Sequence, residues 1–172
     1  MIRSELEDVV GADHITTRES DRLVYSTDWS WMAQMWLDRG QPLPLADYIV
    51  HPAKPTEIAQ IIKIANNYHI PVIPWGGGSG TQGGTLPIYG GIILDTKRMH
   101  RILEINETAL TVTAQAGING TQLEWALNDK GLTLPHYPAS ANCATLGGYL
   151  APRGSGTIST KYGKAEDMVL SM

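Results

Sequence analysis

Between Pro74 and Gly91 the chain reads Pro-Trp-Gly-Gly-Gly-Ser-Gly-Thr-Gln-Gly-Gly-Thr-Leu-Pro-Ile-Tyr-Gly-Gly, and eight of its eighteen glycines fall in this window. Glycine lacks a Cβ, so it can take positive φ and let a ligand come close to the backbone. Several in succession leave consecutive amide N–H groups free to converge into a concavity that binds anions. The run follows Ile70-Pro71-Val72-Ile73, which reads as a short buried strand. A glycine-rich loop hung on a strand end is the pattern of a phosphate site.

Two familiar phosphate loops do not fit. Gly78-Ser79-Gly80-Thr81-Gln82-Gly83 matches G-x-G-x-x-G, with Asp95 downstream. That fingerprint needs a helix to open at its last glycine, so that the helix N-terminus meets the pyrophosphate. Here Gly84, Pro87, Gly90 and Gly91 break any helix, and the next regular element reads as the strand Ile92–Asp95. A Walker loop requires a Gly-Lys-Ser/Thr that the chain does not carry at this point. Flexible Gly/Ser linkers, for their part, lack flanking strands.

The elements that must hold this loop follow from periodicity. Leu45–Val50 reads as a strand, Pro55 opens a helix carrying Ile58, Ile61, Ile62, Ala65 and Tyr68 at a 3.6-residue period, and Val72-Ile73 is the next strand. Together they form a β-α-β unit. After the loop come Ile92–Leu94, then Arg101–Ile105 and Leu110–Ala114, with Asn106-Glu107 as hairpin turn chemistry. Asn119–Lys130 is an amphipathic helix with Leu123, Ala126 and Leu127 inside and Gly131 as its stop. Near the N-terminus, Ser4 and Glu7 make a capping-box pattern for a short helix ending at Gly11. Trp29, Trp31, Met32, Met35 and Trp36 cluster in the following stretch, as a local core or an interface patch.

From Pro135 the pattern changes to a long, small-residue loop: Pro138 to Gly148, then Arg153-Gly154-Ser155-Gly156. Loops of that length usually carry function, so this stretch is expected to form a second wall of the same site.

Length and composition bound the rest. The chain has 172 residues, 42% hydrophobic and 17% charged, enough to bury a core in one domain or one and part of another. A net charge of −4 without a Lys/Arg cluster argues against a nucleic-acid surface. The single Cys143 allows no internal disulfide and fits a reducing compartment. No apolar stretch is long enough to span a bilayer, and the acidic N-terminus lacks a signal core, so a cytoplasmic location is expected. The five histidines show no metal spacing, and His136, nearest the second loop, is read as a packing or surface residue.

The two loops together resemble the FAD-binding domain of the vanillyl-alcohol oxidase, or PCMH, type. The residues that carry the likeness are Pro71 to Gly80, Ile93-Leu94-Asp95 with Met99, Ile102 and Leu103, Thr111 to Gly117, Pro138 to Gly148, and Tyr162-Gly163 with Glu166-Asp167. Tyr25-Ser26-Thr27-Asp28 is similar to the glycolate oxidase and D-lactate dehydrogenase branch. Thr145-Leu146-Gly147-Gly148 with Arg153 and Ser155-Gly156 is similar to the alkylglycerone-phosphate synthase branch. The resemblance implies an α+β fold: a small parallel βαβ subdomain, then part of a second, mostly antiparallel α+β subdomain. It implies a helical lead-in segment over residues 1–44 and the FAD-binding domain over 45–172, incomplete at its C-terminus and without the cap domain.

The resemblance also implies FAD as cofactor, held by Trp75, Gly76, Gly77, Gly78, Ser79, Gly80, Thr81 and Gln82 on one wall. Pro138, Ala139, Ser140, Ala144, Thr145, Gly148, Tyr149, Arg153, Ser155 and Gly156 would form the other, with Thr145 and Ser155 as hydroxyl donors. Ser79 stands where covalent members carry the flavin-linking histidine, so non-covalent FAD is expected; Cys143, at the position of a second linking cysteine, is read as a small buried residue. The implied activity is oxidation of a 2-hydroxy acid by hydride transfer to flavin N5. A synthase-like fragment, or a non-catalytic FAD-binding subunit completed by a partner chain, are the alternatives. The base and the substrate pocket would lie in the cap, so no catalytic residue is assigned in this chain. Val169-Leu170 is expected to begin a further strand.

Overall fold

The computed structural model describes residues 1–172, which fold as two compact units, Met1–Arg98 and Met99–Met172. In the first unit, β1 (Ile15–Thr16), β2 (Tyr48–Val50), β3 (Val72–Trp75) and β4 (Ile92–Asp95) form one sheet in the order β1-β2-β4-β3. β2 and β3 both run parallel to β4, and β1 pairs antiparallel at the edge. The expected β-α-β unit is present, but its two strands flank β4 rather than pairing with each other. A central parallel strand is covered on both faces and therefore reads as an unbroken apolar run, as Ile92-Ile93-Leu94 does.

Alternation along β4 divides the first unit's core in two. Ile92 and Leu94 pack with Leu6 and Val10 of α1 (Ile2–Val10) and with Ile61, Ile64 and Ala65 of the 13-residue helix Pro55–Asn67. Ile93 packs with Ala46, Ile49 and Trp75, which leaves Asp95, two residues further on, on the same side as Ile93. Between α1 and the long helix (α4) lie α2 (Glu19–Val24) and α3 (Trp31–Asp38). α4 starts at Pro55, whose missing N–H costs nothing there, and the Glu57 carboxylate accepts from the Ala53 amide at 2.7 Å.

Three sequence readings need correction here. The Ser4–Glu7 capping box is not formed: α1 already starts at Ile2, so Ser4 lies inside it and Glu7 pairs with Arg3 at 2.7 Å. The strand expected over Leu45–Val50 is confined to Tyr48–Val50. The Trp/Met cluster is not a core, because only Ala33 of α3 is buried while Trp29 and Trp31 are exposed.

The second unit opens with the hairpin β5 (Ile102–Asn106) and β6 (Thr111–Ala114). The Asn106 side chain accepts from the amides of Thr108 and Ala109, which closes the turn. α5 (Gly120–Asn128) is capped by Asn119, whose side chain accepts from the Thr121 amide at 2.9 Å. Leu123 and Leu127 bury against Ile102, Ile105 and Val112 of the hairpin and against Leu134 and Leu146. The stretch after Pro135 is not all loop: it holds α6 (Leu146–Leu150), α7 (Ser159–Tyr162) and a 3-10 turn over Ala165–Met168. Val169-Leu170 does not form the expected strand, and Leu170 is exposed. No helix is long and apolar enough to cross a membrane.

Candidate functional site

In the first unit the glycine loop leaves β3 at Trp75, itself buried. Its two first carbonyls are held from β4's end: the Trp75 carbonyl accepts from the amide and hydroxyl of Thr96 at 3.0 and 3.1 Å, and the Gly76 carbonyl accepts from Lys97 Nζ at 3.1 Å. Gly78 has φ +64°, and a methyl group placed on it would lie 2.5 Å from Cζ2 of the Trp75 ring. Glycine is therefore required at that step, where the loop folds over the indole. Further along, the Gly80 carbonyl accepts from the Trp29 amide at 2.8 Å, and the buried Asp28 carboxylate accepts from the Ser30 amide and the Thr85 hydroxyl. The loop is thus pinned at both ends while none of the seven backbone amides from Gly76 to Gln82 donates to another group of the chain. Gln82 turns its amide to the Thr81 hydroxyl at 3.4 Å. Backbone donors held in place but uncommitted are the donor set that a diphosphate needs.

Beneath the loop is a polar cluster that sequence reading missed. Asp95 is 1% exposed; its Oδ2 accepts from the Tyr25 hydroxyl at 2.6 Å and contacts Lys97 Nζ, and its Oδ1 accepts from the Lys97 amide at 2.8 Å. His51 Nδ1 stands 3.6 Å from the same carboxylate. Burial, reinforced by the hydrogen bond to Asp95, raises the Tyr25 pKa, so this hydroxyl remains a donor. Burial lowers the His51 pKa more than Asp95 raises it. The Tyr25 ring packs edge-on against Trp75, with centroids 4.9 Å apart. The available signal was the charge ending the apolar run Ile92-Ile93-Leu94, since a carboxylate there must find partners.

In the second unit the predicted residues gather in one region. Pro138 to Ala144 form consecutive turns, with the Pro138 carbonyl accepting from Ala141 and the Ser140 carbonyl from Cys143 and Ala144. Thr145 caps α6: its buried hydroxyl oxygen accepts from the Gly148 amide at 3.2 Å. The amides of Leu146 and Gly147 donate to the carbonyls of Ile118 and Ala116, so the start of α6 is already committed. Gly156 lies against the Tyr137 backbone, where a methyl group would meet the Tyr137 nitrogen at 2.6 Å, and the Thr157 amide donates to the Tyr137 carbonyl. This brings the Arg153–Gly156 stretch beside the Pro138 turn. Ala139, Gly148, Arg153 and Ser155 are exposed, whereas Ala144, Thr145 and Tyr149 are buried and form the wall behind them. Arg153 Nε stands 3.6 Å from Glu166. Cys143 is exposed, contrary to the buried role expected for it, because the turn at Ser140 directs it outward, where its Sγ–H donates to the Ser140 carbonyl at 3.4 Å.

His136 and Tyr149 stack edge-on with ring centroids 4.8 Å apart, at the wall of a cavity of about 200 Å³ between α5 and the Leu134–Ala141 segment. The packing role read for His136 is the one it has: the ring is 5% exposed and neither nitrogen has a hydrogen-bond partner. Burial lowers the His136 pKa and pushes that of Tyr149 up to about 12. The unfolded chain therefore takes up a proton at this histidine more readily than the folded one. Its contribution to stability is complete above the ordinary histidine range and is lost as pH falls through the lowered pKa. The melting temperature is expected to fall between pH 7.5 and 5 more steeply for the native chain than for His136→Phe, which keeps the ring packing. Equal slopes would contradict the assignment.

Comparison with known proteins matches this arrangement. The sequence pattern of the FAD binding domain family covers residues 46–172. The chain is 33% identical over 171 residues to glycolate oxidase subunit GlcD of Bacillus subtilis (99% of this chain, 34% of that protein). It is 32% identical over 128 residues to the mitochondrial D-lactate dehydrogenase [cytochrome] of Arabidopsis thaliana (74% of this chain, 22% of that protein). A solved alkyldihydroxyacetonephosphate synthase superposes with a TM-score of 0.91 at 32% identity, covering 99% of this chain and 35% of that one. The chain thus spans about a third or less of the length of these relatives. With its α+β units, its parallel sheet and its open-amide glycine loop, the chain belongs to the FAD binding domain family.

Proposed function

We propose that the chain is the FAD-binding part of a flavin-dependent oxidoreductase acting on a 2-hydroxy acid of the D-lactate or glycolate kind. The observation that carries the reading is the glycine loop, pinned at both ends, with its seven amides from Gly76 to Gln82 uncommitted. Those amides, with the Trp75 ring beneath Gly78, would take the pyrophosphate of FAD. Residues 45–172 are the proposed flavin domain and 1–44 its lead-in. The surface of Pro138, Ala139, Ser140, Gly148, Arg153, Ser155 and Gly156 is proposed to line the rest of the cofactor path, backed by Ala144, Thr145 and Tyr149. Flavin supplies hydride acceptance from the substrate α-carbon. This chain's own part is to bind and orient. The acid–base groups, the substrate pocket and any partner subunit are assigned to polypeptide beyond these residues. The likeness to glycolate oxidase and D-lactate dehydrogenase supports the hydroxy-acid substrate, and the lone cysteine supports a reducing, cytoplasmic setting.

A second reading, a synthase-like fragment, is favoured by the 0.91 superposition on alkyldihydroxyacetonephosphate synthase. Anaerobic bleaching of bound flavin tests whether this chain supplies the flavin-binding part and leaves the acid–base groups elsewhere. The 172-residue chain with FAD is expected to show no bleaching by D-lactate or glycolate, because no acid–base group is assigned to it. Substituted for the matching third of Bacillus subtilis GlcD, it is expected to support bleaching. Bleaching by the chain alone would contradict the placement of the catalytic base. A folded, FAD-loaded chimera that neither hydroxy acid reduces, although GlcD supplies the rest of the protein, would contradict the reading of this chain as a flavin domain that positions FAD for a hydroxy-acid oxidase.

A further inference from the structure

We infer that Lys97 is a positioning residue for anion binding: it neutralises the buried Asp95 carboxylate directly beneath the glycine loop, so that the loop presents its amides to a diphosphate over a charge-balanced base. The inference rests on the flavin reading above. Its grounds are local. Asp95 is 1% exposed and lies at the end of β4, paired in register with Trp75, the residue from which the loop departs. Lys97 Nζ contacts Asp95 Oδ2 and at the same time donates to the Gly76 carbonyl, so the carboxylate sits one ammonium group away from the loop's first peptide. Tyr25 donates a neutral hydroxyl to the same oxygen, which satisfies a lone pair without altering the charge. His51 Nδ1 stands farther off at 3.6 Å, and its lowered pKa leaves it neutral near pH 7. The Arg98 guanidinium is turned to the His51 carbonyl at 2.6 Å. Lys97 therefore carries the balancing charge.

Without it, a buried carboxylate beside the loop would be left unbalanced near the two negative charges of the diphosphate. Like charges repel the more strongly the less water lies around them, and Asp95 is 1% exposed. With both charges removed, the base returns to neutrality.

The test is the FAD dissociation constant, read from quenching of flavin fluorescence at pH 7.5. It compares the native chain with Lys97→Met, Lys97→Arg, Asp95→Asn and the double variant Asp95→Asn/Lys97→Met, each checked for folding by circular dichroism. Affinity is expected to follow local charge. Lys97→Met should bind about tenfold more weakly or worse. Lys97→Arg, which keeps both the charge and a donor for the Gly76 carbonyl, should lie within about threefold of the native chain. The double variant, which loses the Gly76 contact but regains neutrality, should bind more tightly than Lys97→Met. Asp95→Asn should bind no more weakly than native. A merely structural plug would give another order, with Asp95→Asn weakened and the double variant the weakest of all, and that order overturns the inference. Should Lys97→Met fail to fold, Asp95→Asn and the double variant still decide between the two orders. A native chain that binds no FAD defeats the flavin reading itself, a result distinct from either order.

Discussion

Replacing Gly78 with valine is expected to abolish FAD retention while leaving the rest of the chain folded. The position combines two demands that only glycine meets. Its φ of +64° lies in the left-handed region, where a β-branched residue is a strong outlier. A methyl group there would also stand 2.5 Å from Cζ2 and 3.1 Å from Cε2 of Trp75, well inside contact distance. Trp75 is buried and braced by Tyr25, so it cannot yield. The loop must instead lift away, and the amides from Gly76 to Gln82 lose their common direction. Binding should weaken by about a hundredfold or more, a loss of the size expected when strain and overpacking add. Gln82→Ala should change affinity by less than about threefold, since that side chain reaches only the Thr81 hydroxyl and the backbone is what binds. Fluorescence titration with FAD checks both. Native-like affinity in a folded Gly78→Val chain would remove the loop from the site.

The second large effect is on stability. Gly91 sits where β4 begins, with φ +95°, and a methyl group on it would lie 2.3 Å from the carbonyl oxygen of Pro71. That carbonyl is not free to move, because it accepts from the Ile92 amide at 2.8 Å. On the other side, the Gly91 amide donates to Asp47 Oδ2 at 2.7 Å and its carbonyl accepts from the amides of Asp47 and Tyr48. Gly91 is thus gripped between the starts of β2 and β3. Gly91→Ala is expected to cost roughly 3–5 kcal/mol, the sum of left-handed strain and a backbone clash. That is a large part of the 5–15 kcal/mol that typically stabilises a domain. Gly84→Ala is the control: nothing lies within 4 Å of the added methyl, so the change should stay within about 0.5 kcal/mol. Urea denaturation followed by circular dichroism measures both. Equal midpoints would contradict the proposed grip.

What could be read in the sequence was what local pattern encodes. The run Ile92-Ile93-Leu94 read as a strand; its central place in the sheet, where burial on both faces leaves no polar gap, came only with the fold. The 3.6-residue spacing from Ile58 to Ala65 gave α4, and the clustered glycines gave the loop. Short elements were lost. β1 is two residues long and α2 six, too brief for a periodicity to register. α6, five residues rich in glycine, hid inside a stretch that looked like loop, although Thr145 just before it was a legible cap. Non-local pairing was the larger gap. Tyr25 and Asp95 were both noticed, for unrelated reasons, but lie 70 residues apart, and only the fold joins hydroxyl to carboxylate. The uncommitted state of the loop amides was equally invisible. It depends on Thr96, Lys97 and Trp29 engaging the loop's carbonyls instead.

The most direct test of the central claim is whether the folded chain takes up FAD non-covalently through this loop. The purified chain should be titrated with FAD, desalted, scanned for flavin absorbance and then precipitated with acid. Saturable uptake, with the yellow colour released wholly into the supernatant, is the predicted result. A folded chain that takes up no flavin would contradict the account. Colour remaining in the denatured pellet would overturn its non-covalent part and, if lost in Cys143→Ala, would place the link at that exposed thiol.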